Sequence, residues 1–389
     1  MEFRLCRDAE YTAVRQLWGQ CFGEEEPWTS WYFSMHYQAA QTWVGLDAGT
    51  VVAQTHLLPH RLRLRGNWRD AVYIVGVCVD ETRRNQGIGR EILATALAQL
   101  RCKGVGISIL QPRWPIFYQK LGWDYCYSRQ AFRLPVEAAK LLLSEIPADL
   151  TWLPDTREIN VLAGLYENFV RPRHGYALRT EKDWESLTAD HFGAGGRAGL
   201  LFRQEIPCGY ALYSSIESCL NVRELVWSEA ADSDMFWKYL IDEARLSGDE
   251  NIEWMDPSED QGSPLSPGAP SEGFLMGRLT DVAVVLEAIN YPVNLTADLE
   301  LVVNDPLAPW NDGRFHWSIR GGQAQFVSSE SIRDPDLEIG IGTLSQLVFG
   351  QHPARQIVSA ESGGGCREEV IELLTQIFPA RRNFISEFF

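Results

Sequence analysis

The chain has 389 residues, 45% of them hydrophobic and 22% charged, the balance of a folded protein long enough for two or three domains rather than one. Its formal net charge of -17 argues against a nucleic-acid binder, since phosphate contact needs a basic face, and it accommodates a cationic partner. The 8 cysteines include no Cys-x-x-Cys pair and the 7 histidines do not cluster, so neither a disulfide framework, nor a metal site, nor a Cys/His catalytic pair is expected.

The N-terminus, MEFRLCRDAE, has no basic flank leading into an apolar run, and no stretch is as long and apolar as a membrane span. A cytoplasmic chain that does not enter a membrane is expected. Asp8 to Phe22 reads as an opening helix, followed by Gly23-Glu24-Glu25-Glu26-Pro27-Trp28-Thr29-Ser30-Trp31-Tyr32. Three carboxylates beside Trp28, Trp31 and Tyr32 can bind an ammonium group by charge and cation–π contact, or they can be a solvated helix start with its tryptophans turned to the core. Gln41 to Ala71 reads as antiparallel hairpins. Within it Arg61, Arg63 and Arg65 alternate, which predicts one shared, solvated strand face.

Val75 to Leu100 changes period midway. Val75, Val77 and Val79 alternate as in a strand, whereas Ile88, Ile92, Leu93, Ala96, Leu97 and Leu100 recur at helical spacing. Between them, Arg84-Asn85-Gln86-Gly87-Ile88-Gly89 would aim backbone N–H groups at one point at the positive end of the helix dipole, a geometry that suits a phosphate or pyrophosphate. The glycines let the backbone approach an anion, and the arginines add charge. The loop lacks the Gly-x-x-x-x-Gly-Lys-Ser/Thr of a nucleotidase, and Gly104-x-Gly106 lacks the third glycine of a dinucleotide fingerprint. Downstream, an apolar strand from Gly106 to Leu110 leads into Pro115-Ile116-Phe117-Tyr118-Gln119-Lys120-Leu121-Gly122-Trp123.

From Leu134 to Leu275 the elements run in a similar order. Glu158 to Val170 and Glu181 to Ala189 read as helices, Gly199 to Phe202, Cys208 to Ser214 and Val222 to Trp227 as strands, and Met235 to Leu246 as a helix. The connection Ser228-Glu229-Ala230-Ala231-Asp232-Ser233-Asp234 is acidic and free of glycine, so it would repel a pyrophosphate. Pro257 to Gly273, dense in Pro, Ser and Gly, reads as a linker or surface loop. Beyond it Leu299, Leu301 and Val303 alternate, as do Leu337, Ile339 and Ile341, and helices are expected over Thr343 to Phe349 and Glu368 to Phe378. An open sheet covered by helices is the natural reading.

Arg/Gln-x-x-Gly-x-Gly between a strand and a helix, followed by Tyr-x-x-Leu-Gly after the next strand, resembles the GNAT superfamily of acetyl-CoA-dependent N-acetyltransferases. The resemblance implies that Arg84, Asn85, Gln86, Gly87, Ile88, Gly89 and Arg90 bind the pyrophosphate of acetyl-CoA. It implies too that Val77, Cys78 and Val79 pair by their backbone with the pantetheine arm. Tyr118 becomes the acid that protonates the departing thiolate, and Glu25, Trp28 and Trp31 border the acceptor. Glu81 departs from the pattern, standing where the family usually has proline. DPDLEIGIGTLSQLVFG resembles sterol-carrier-protein-like domains, which can hold a lipid, although a packed core has the same pattern.

The three-part order resembles the enhanced-intracellular-survival (Eis) acetyltransferases over the full chain. The fold class implied is α+β with α/β-like layers: an active GNAT domain over residues 1–133, a degenerate GNAT-like domain over 134–275 and a sterol-carrier-protein-like domain over 276–389. In that family the terminal carboxylate helps deprotonate the acceptor, which here implies Phe389 as base, with Glu387 near the amine. The implied co-substrate is acetyl-CoA, with no metal. Implied partners are aminoglycoside-, polyamine- or lysine-like amines and copies of the chain in a hexamer. A non-catalytic scaffold that binds CoA, or a lipid in its last domain, remains the alternative.

Overall fold

The structure, a computed structural model, describes residues 1–23, 26–140, 149–229, 233–257, 271–362 and 366–387. Its centre is a long hairpin. Strand Thr50–Leu64 and strand Asn67–Val79 pair antiparallel through the two-residue turn Arg65-Gly66, where φ is +49° and +82°. Positive φ at both central residues matches the twist of the flanking strands. Glu2–Leu5 and Thr42–Asp47 extend the sheet on one side, and Ile107–Leu110 joins parallel on the other. The parallel step needs a crossover, which helix Ile88–Cys102 supplies. All six apolar residues of its predicted stripe are buried against Trp43, Leu57, Val72 and Ile74, each isoleucine and leucine contributing about 2 kcal/mol and Ala96 less.

The second sheet repeats this order. Arg197–Arg203, Ile206–Ile216 and Cys219–Trp227 run antiparallel, helix Ser233–Ser247 crosses over, and Asn251–Asp256 returns parallel to Cys219–Trp227. The two units exchange one strand. Ser128–Pro135, which follows the first unit, pairs with Asn251–Asp256, while Met276–Leu279, which follows the second, pairs with Ile107–Leu110. A third, four-stranded sheet comprises Ala297–Asn304, Gly313–Arg320, Gln323–Ser328 and Leu337–Gly340 and carries helices Ile341–Phe349 and Glu368–Ile377. One apolar core runs from Val14 and Trp18 in the first unit to Trp317, Leu374 and Ile385 near the chain's end, so these parts are packed as one body. Among the described residues no helix is long and apolar enough to cross a membrane.

The three alternating arginines do not share a face. Arg61 is exposed, but Arg65 is buried and donates to the carbonyls of Leu347 at 2.6 Å and Val348 at 2.8 Å, and to Pro379 O at 2.7 Å. The Leu347 and Val348 carbonyls belong to the last turn of helix Ile341–Phe349, whose unpaired acceptors and negative dipole end attract a guanidinium.

Candidate active site

The strand Asn67–Val79 is paired with Ile107–Leu110 only over Ala71 to Tyr73. Beyond Tyr73 its edge carries backbone N–H and C=O groups with no strand partner on that side among the described residues. On its other side the register slips: Gln54 pairs with Cys78 and His56 with Val75, so Gly76 and Val77 together oppose Thr55. This bulge has a visible effect on the valine alternation. Val75 packs with Trp18 and Tyr32, whereas Val77 and Val79 pack on the opposite face with helix Ile88–Cys102. Gly76 takes φ +64°, and a Cβ there would lie 2.3 Å from the Trp18 ring, so glycine is required on both counts.

The strand runs into the predicted anion loop. Asp80 accepts from the Thr82 backbone N–H and hydroxyl and fixes a short 3-10 turn, Glu81–Arg83. Asn85 and Gly87 have φ of +62° and +84°, and residues 81 to 87 are exposed. The first turn of the helix leaves N–H groups without intrahelical acceptors. Gly87 faces open space, and a Cβ on Gly89 would meet the Phe117 ring at 3.3 Å. Arg83 pairs with Asp47, Arg84 donates to Val79 O at 3.2 Å, and Arg90 donates to Pro306 O at 2.5 Å. An exposed positive loop following an unpaired strand edge fits a long ligand with an anionic middle and an amide-bearing arm.

Tyr118 belongs to the short helix Pro115–Gln119 and lies half-buried between Phe117 and Trp123, with ring centroids 5.0 and 6.2 Å away. Burial, and after it the nearby Cys78, pushes its hydroxyl above the usual phenol range, so it stays protonated. The structure therefore brings Val77, Cys78, Val79, the loop residues Arg84 to Arg90 and Tyr118 to one end of the sheet.

Trp28 and Trp31 join an aromatic cluster with Trp18, Tyr32, Phe33 and His56. Trp31 also donates its ring N–H to Ser186 O of the second unit at 3.1 Å. Glu26, one of the three predicted carboxylates, is bound to Arg15 and Ser30; Glu24 and Glu25 lie outside the described residues, as does Phe389. Glu387 is held by Arg179 Nε at 2.7 Å, and Arg179 is held by Glu224 at 3.0 and 2.5 Å. Burial alone would raise the Glu224 carboxyl, but the charge and hydrogen bonds of Arg179, with those of Ser386 and Tyr210, bring it below its ordinary value.

A cavity of about 470 Å³ is lined by Trp31, His36, His60, Asp183 and Glu387, among others. It brings Trp31 and Glu387 together but not Trp28, Tyr118 or the loop. Val72 is its lining residue nearest the loop along the motif strand, and Cys78 lies about 20 Å further at extended-chain rise.

Several residues of the site carry no sequence signal. Tyr32 OH and His56 Nδ1 share a hydrogen bond of 2.7 Å, and burial lowers His56 to a pKa of about 3, so the ring is neutral. His56 Nε2, Gln54 Oε1, Trp18 Nε1 and Thr29 Oγ1 are buried polar atoms without a hydrogen-bond partner. Of these, Trp18 lies against Gly76 of the bulge, His56 stacks near Trp18 and Gln54 reaches Cys78. Period-two reading of the strand Thr50–Leu64 could mark His56 as inward-facing, but nothing local distinguishes it from a core histidine.

Residues 2–126 match the acetyltransferase (GNAT) domain family, and residues 282–386 match the sterol carrier protein domain family. No curated protein matches the chain. Among solved structures, a GCN5-related N-acetyltransferase from Anabaena variabilis is similar over 100% of both chains, with TM-score 0.82 and 20% identity. A conserved protein of unknown function from Enterococcus faecalis, a probable N-acyltransferase, aligns over 100% of both chains with TM-score 0.84 and 17% identity. Eis1 from Mycobacterium abscessus does so with TM-score 0.76 and 17% identity. The chain thus carries a GNAT acetyltransferase domain and a sterol carrier protein domain, joined in the full-length fold that it shares with Eis1.

Proposed function

We propose that the protein transfers acetyl from acetyl-CoA directly to a primary amine of a cationic acceptor, of aminoglycoside, polyamine or lysine type. The observation that carries this reading is the unpaired edge after Tyr73, which runs into a glycine-bearing helix start with Tyr118 near it, packed against Trp123. Acetyl-CoA supplies the activated thioester. Backbone groups of Val77 to Val79 hold the pantetheine amide and polarise the thioester carbonyl. The N–H groups from Asn85 to Arg90, with the Arg84 and Arg90 guanidiniums, hold the pyrophosphate. Tyr118 gives its proton to the leaving thiolate.

The attacking amine must be neutral, and the Phe389 carboxylate takes its proton, directly or through water. An α-carboxyl group has an ordinary pKa of about 3.5 and becomes a better base when buried among aromatics. Support comes from the tail: Ile385 and Ser386 are buried, and the Glu387 charge acts on Tyr73, five residues before Cys78 on the motif strand. Trp31 and Glu387 line one cavity and take the distal part of the acceptor. The working form is a cytoplasmic homo-oligomer, hexameric by the same resemblance.

Thiol release across a panel of amines tests this reading. Tyr118→Phe is expected to lower kcat by about a hundredfold. Unchanged turnover would discard the acid assignment, and full activity after residues are appended to Phe389 would discard the carboxylate.

A further inference from the structure

Where the opening helix Tyr11–Phe22 ends beside the motif strand, two thiols meet. Cys21 is half-exposed and Cys78 is 1% exposed, and both are free cysteines. Cys21 Sγ lies beside the strand end that carries Cys78, next to the carbonyl of Val79, and each thiol shifts the acidity of the other. Arg84 Nη2 lies 3.8 Å from that sulfur, and the Cys21 thiol lies 3.6 Å from Val79 O. Cys78, then the Arg84 guanidinium, lower Cys21 to about 6 against the cost of its burial, whereas burial pushes Cys78 well up. An activated thiol therefore neighbours a buried, protonated one, and low-pKa thiols that sense oxidants are often poised next to a second cysteine that resolves them. Gln54 adds an independent polar group, not fully satisfied by the described residues, at this point. It is fully buried, its amide nitrogen stands 3.8 Å from the Cys78 sulfur, and its Oε1 has no partner.

We propose that Cys21 and Cys78 form an oxidation site that closes to a disulfide on exposure to a peroxide, and that closure weakens binding at the adjoining loop. The Cys21 thiolate attacks one peroxide oxygen, the O–O bond breaks, and the departing hydroxide takes a proton to become water. Cys21 is then a sulfenic acid. The Cys78 sulfur attacks the Cys21 sulfur, the S–S bond forms, the S–O bond breaks, and the Cys78 proton leaves with the second water. The two thiols lose two electrons together, and the peroxide is reduced to two waters. Closing the bond to about 2.05 Å draws Cys21 away from Val79 O and from Arg84, which also donates to that carbonyl. The strand end and the loop then lose a shared fixing point. The binding half of the proposal rests on the reading of this loop as the CoA site; the disulfide half does not.

The test uses the full-length protein, titrated with hydrogen peroxide and mapped by peptide mass spectrometry without reduction. Calorimetry with CoA accompanies it before oxidation, after oxidation and after dithiothreitol. A Cys21–Cys78 cross-linked peptide is expected, absent in Cys21→Ser and in Cys78→Ala. CoA affinity should fall by about tenfold with the cross-link and recover on reduction. The exposed Cys102 serves as an internal marker of oxidant dose. Oxidation of Cys102 without the cross-link overturns the disulfide, and a cross-link with unchanged affinity overturns its effect on binding. Failure of the reduced protein to bind CoA condemns the reading of the loop instead, and the map still decides the disulfide.

Discussion

His174 Nδ1 donates to Asn383 Oδ1 at 2.7 Å while its Nε2 accepts from the Arg65 backbone N–H at 2.8 Å, so one imidazole joins the second unit, the central hairpin and the chain's tail. His174 N and O also bond to Arg382 O and Phe384 N, each at 2.9 Å. Both ring positions are committed in the neutral form, and a second proton on Nε2 would face the Arg65 N–H. Burial, partly offset by Asn383, lowers the ring to about 4. Its unfolded value is about 6.5, so between these values the unfolded chain binds more protons. Stability is fully present above about pH 6.5 and falls towards pH 4, by roughly 3 kcal/mol at most for this residue. His36 and His191, also near 4, add to the slope. Urea midpoints measured from pH 7 to 4 should decline less steeply in His174→Gln. An identical slope would show that this ring titrates no differently in the folded protein.

Much of the first unit was legible in the sequence. The helix Ile88–Cys102, its buried stripe and the loop before it are local patterns with a local cause. The bulge at Gly76-Val77 was not, because a bulge is a relation between two strands, and the valine alternation reads as unbroken until Thr55 is seen opposite both residues. The exchange of Ser128–Pro135 and Met276–Leu279 between sheets is likewise a long-range choice that leaves no mark in period or turn chemistry. Arg65 misled for the same reason: its partners lie some 280 residues away in sequence. Tyr118 was reached only through resemblance and Tyr32 only as an aromatic beside the carboxylates, while Gln54, His56 and Cys21 were missed, since nothing near them in sequence separates them from core residues.

Gly87 and Gly89 give separable predictions for the loop. Gly87 is left-handed at φ +84° with open space around it, so a β-branched side chain is strained by conformation, whereas asparagine tolerates that region. Gly87→Val should weaken CoA binding by about tenfold, and Gly87→Asn by much less. Gly89→Val acts through the Phe117 ring and should displace it even without ligand. Calorimetry with CoA and the fluorescence of Trp123 read the two effects. Equal losses for Gly87→Val and Gly87→Asn would show that conformation is not the cause.

Arg179 fixes the tail through two carboxylates in a buried setting, at Glu224 and Glu387. Removing the cation leaves both acids without compensation, and the charge of Glu224 has no route to solvent. Arg179→Met is expected to cost about 3–5 kcal/mol, and Arg179→Met with Glu224→Leu to recover part of it. Glu387→Gln keeps a hydrogen-bonding shape and should cost less, about 1 kcal/mol. Denaturation midpoints measure the set, and limited proteolysis after residue 380 reports whether the tail is released. A double variant no more stable than Arg179→Met would mean that the stranded charge is not what destabilises it.

Arg278 is 0% exposed and donates to both oxygens of Asp305, at 2.5 and 2.6 Å, across the junction between the first sheet and the C-terminal domain. Its other amino group donates to the carbonyl of Leu121, three residues after Tyr118, and its guanidinium stands 4.9 Å from the Trp123 ring centroid. The fit is close, since a Cβ on Gly122 would lie 2.0 Å from Arg278 Nη1. The C-terminal domain therefore holds the turn that carries the proposed acid. Arg278→Lys keeps the charge but cannot form both the paired contact with Asp305 and the bond to Leu121. We expect it to lower kcat by about tenfold while leaving the KM for acetyl-CoA within about twofold, because the turn moves and the loop does not. Asp305→Asn, which strips the charge yet leaves the Leu121 contact, should reduce stability more than turnover. Should Arg278→Lys raise KM and leave kcat intact, the clamp would be serving the loop instead of the acid.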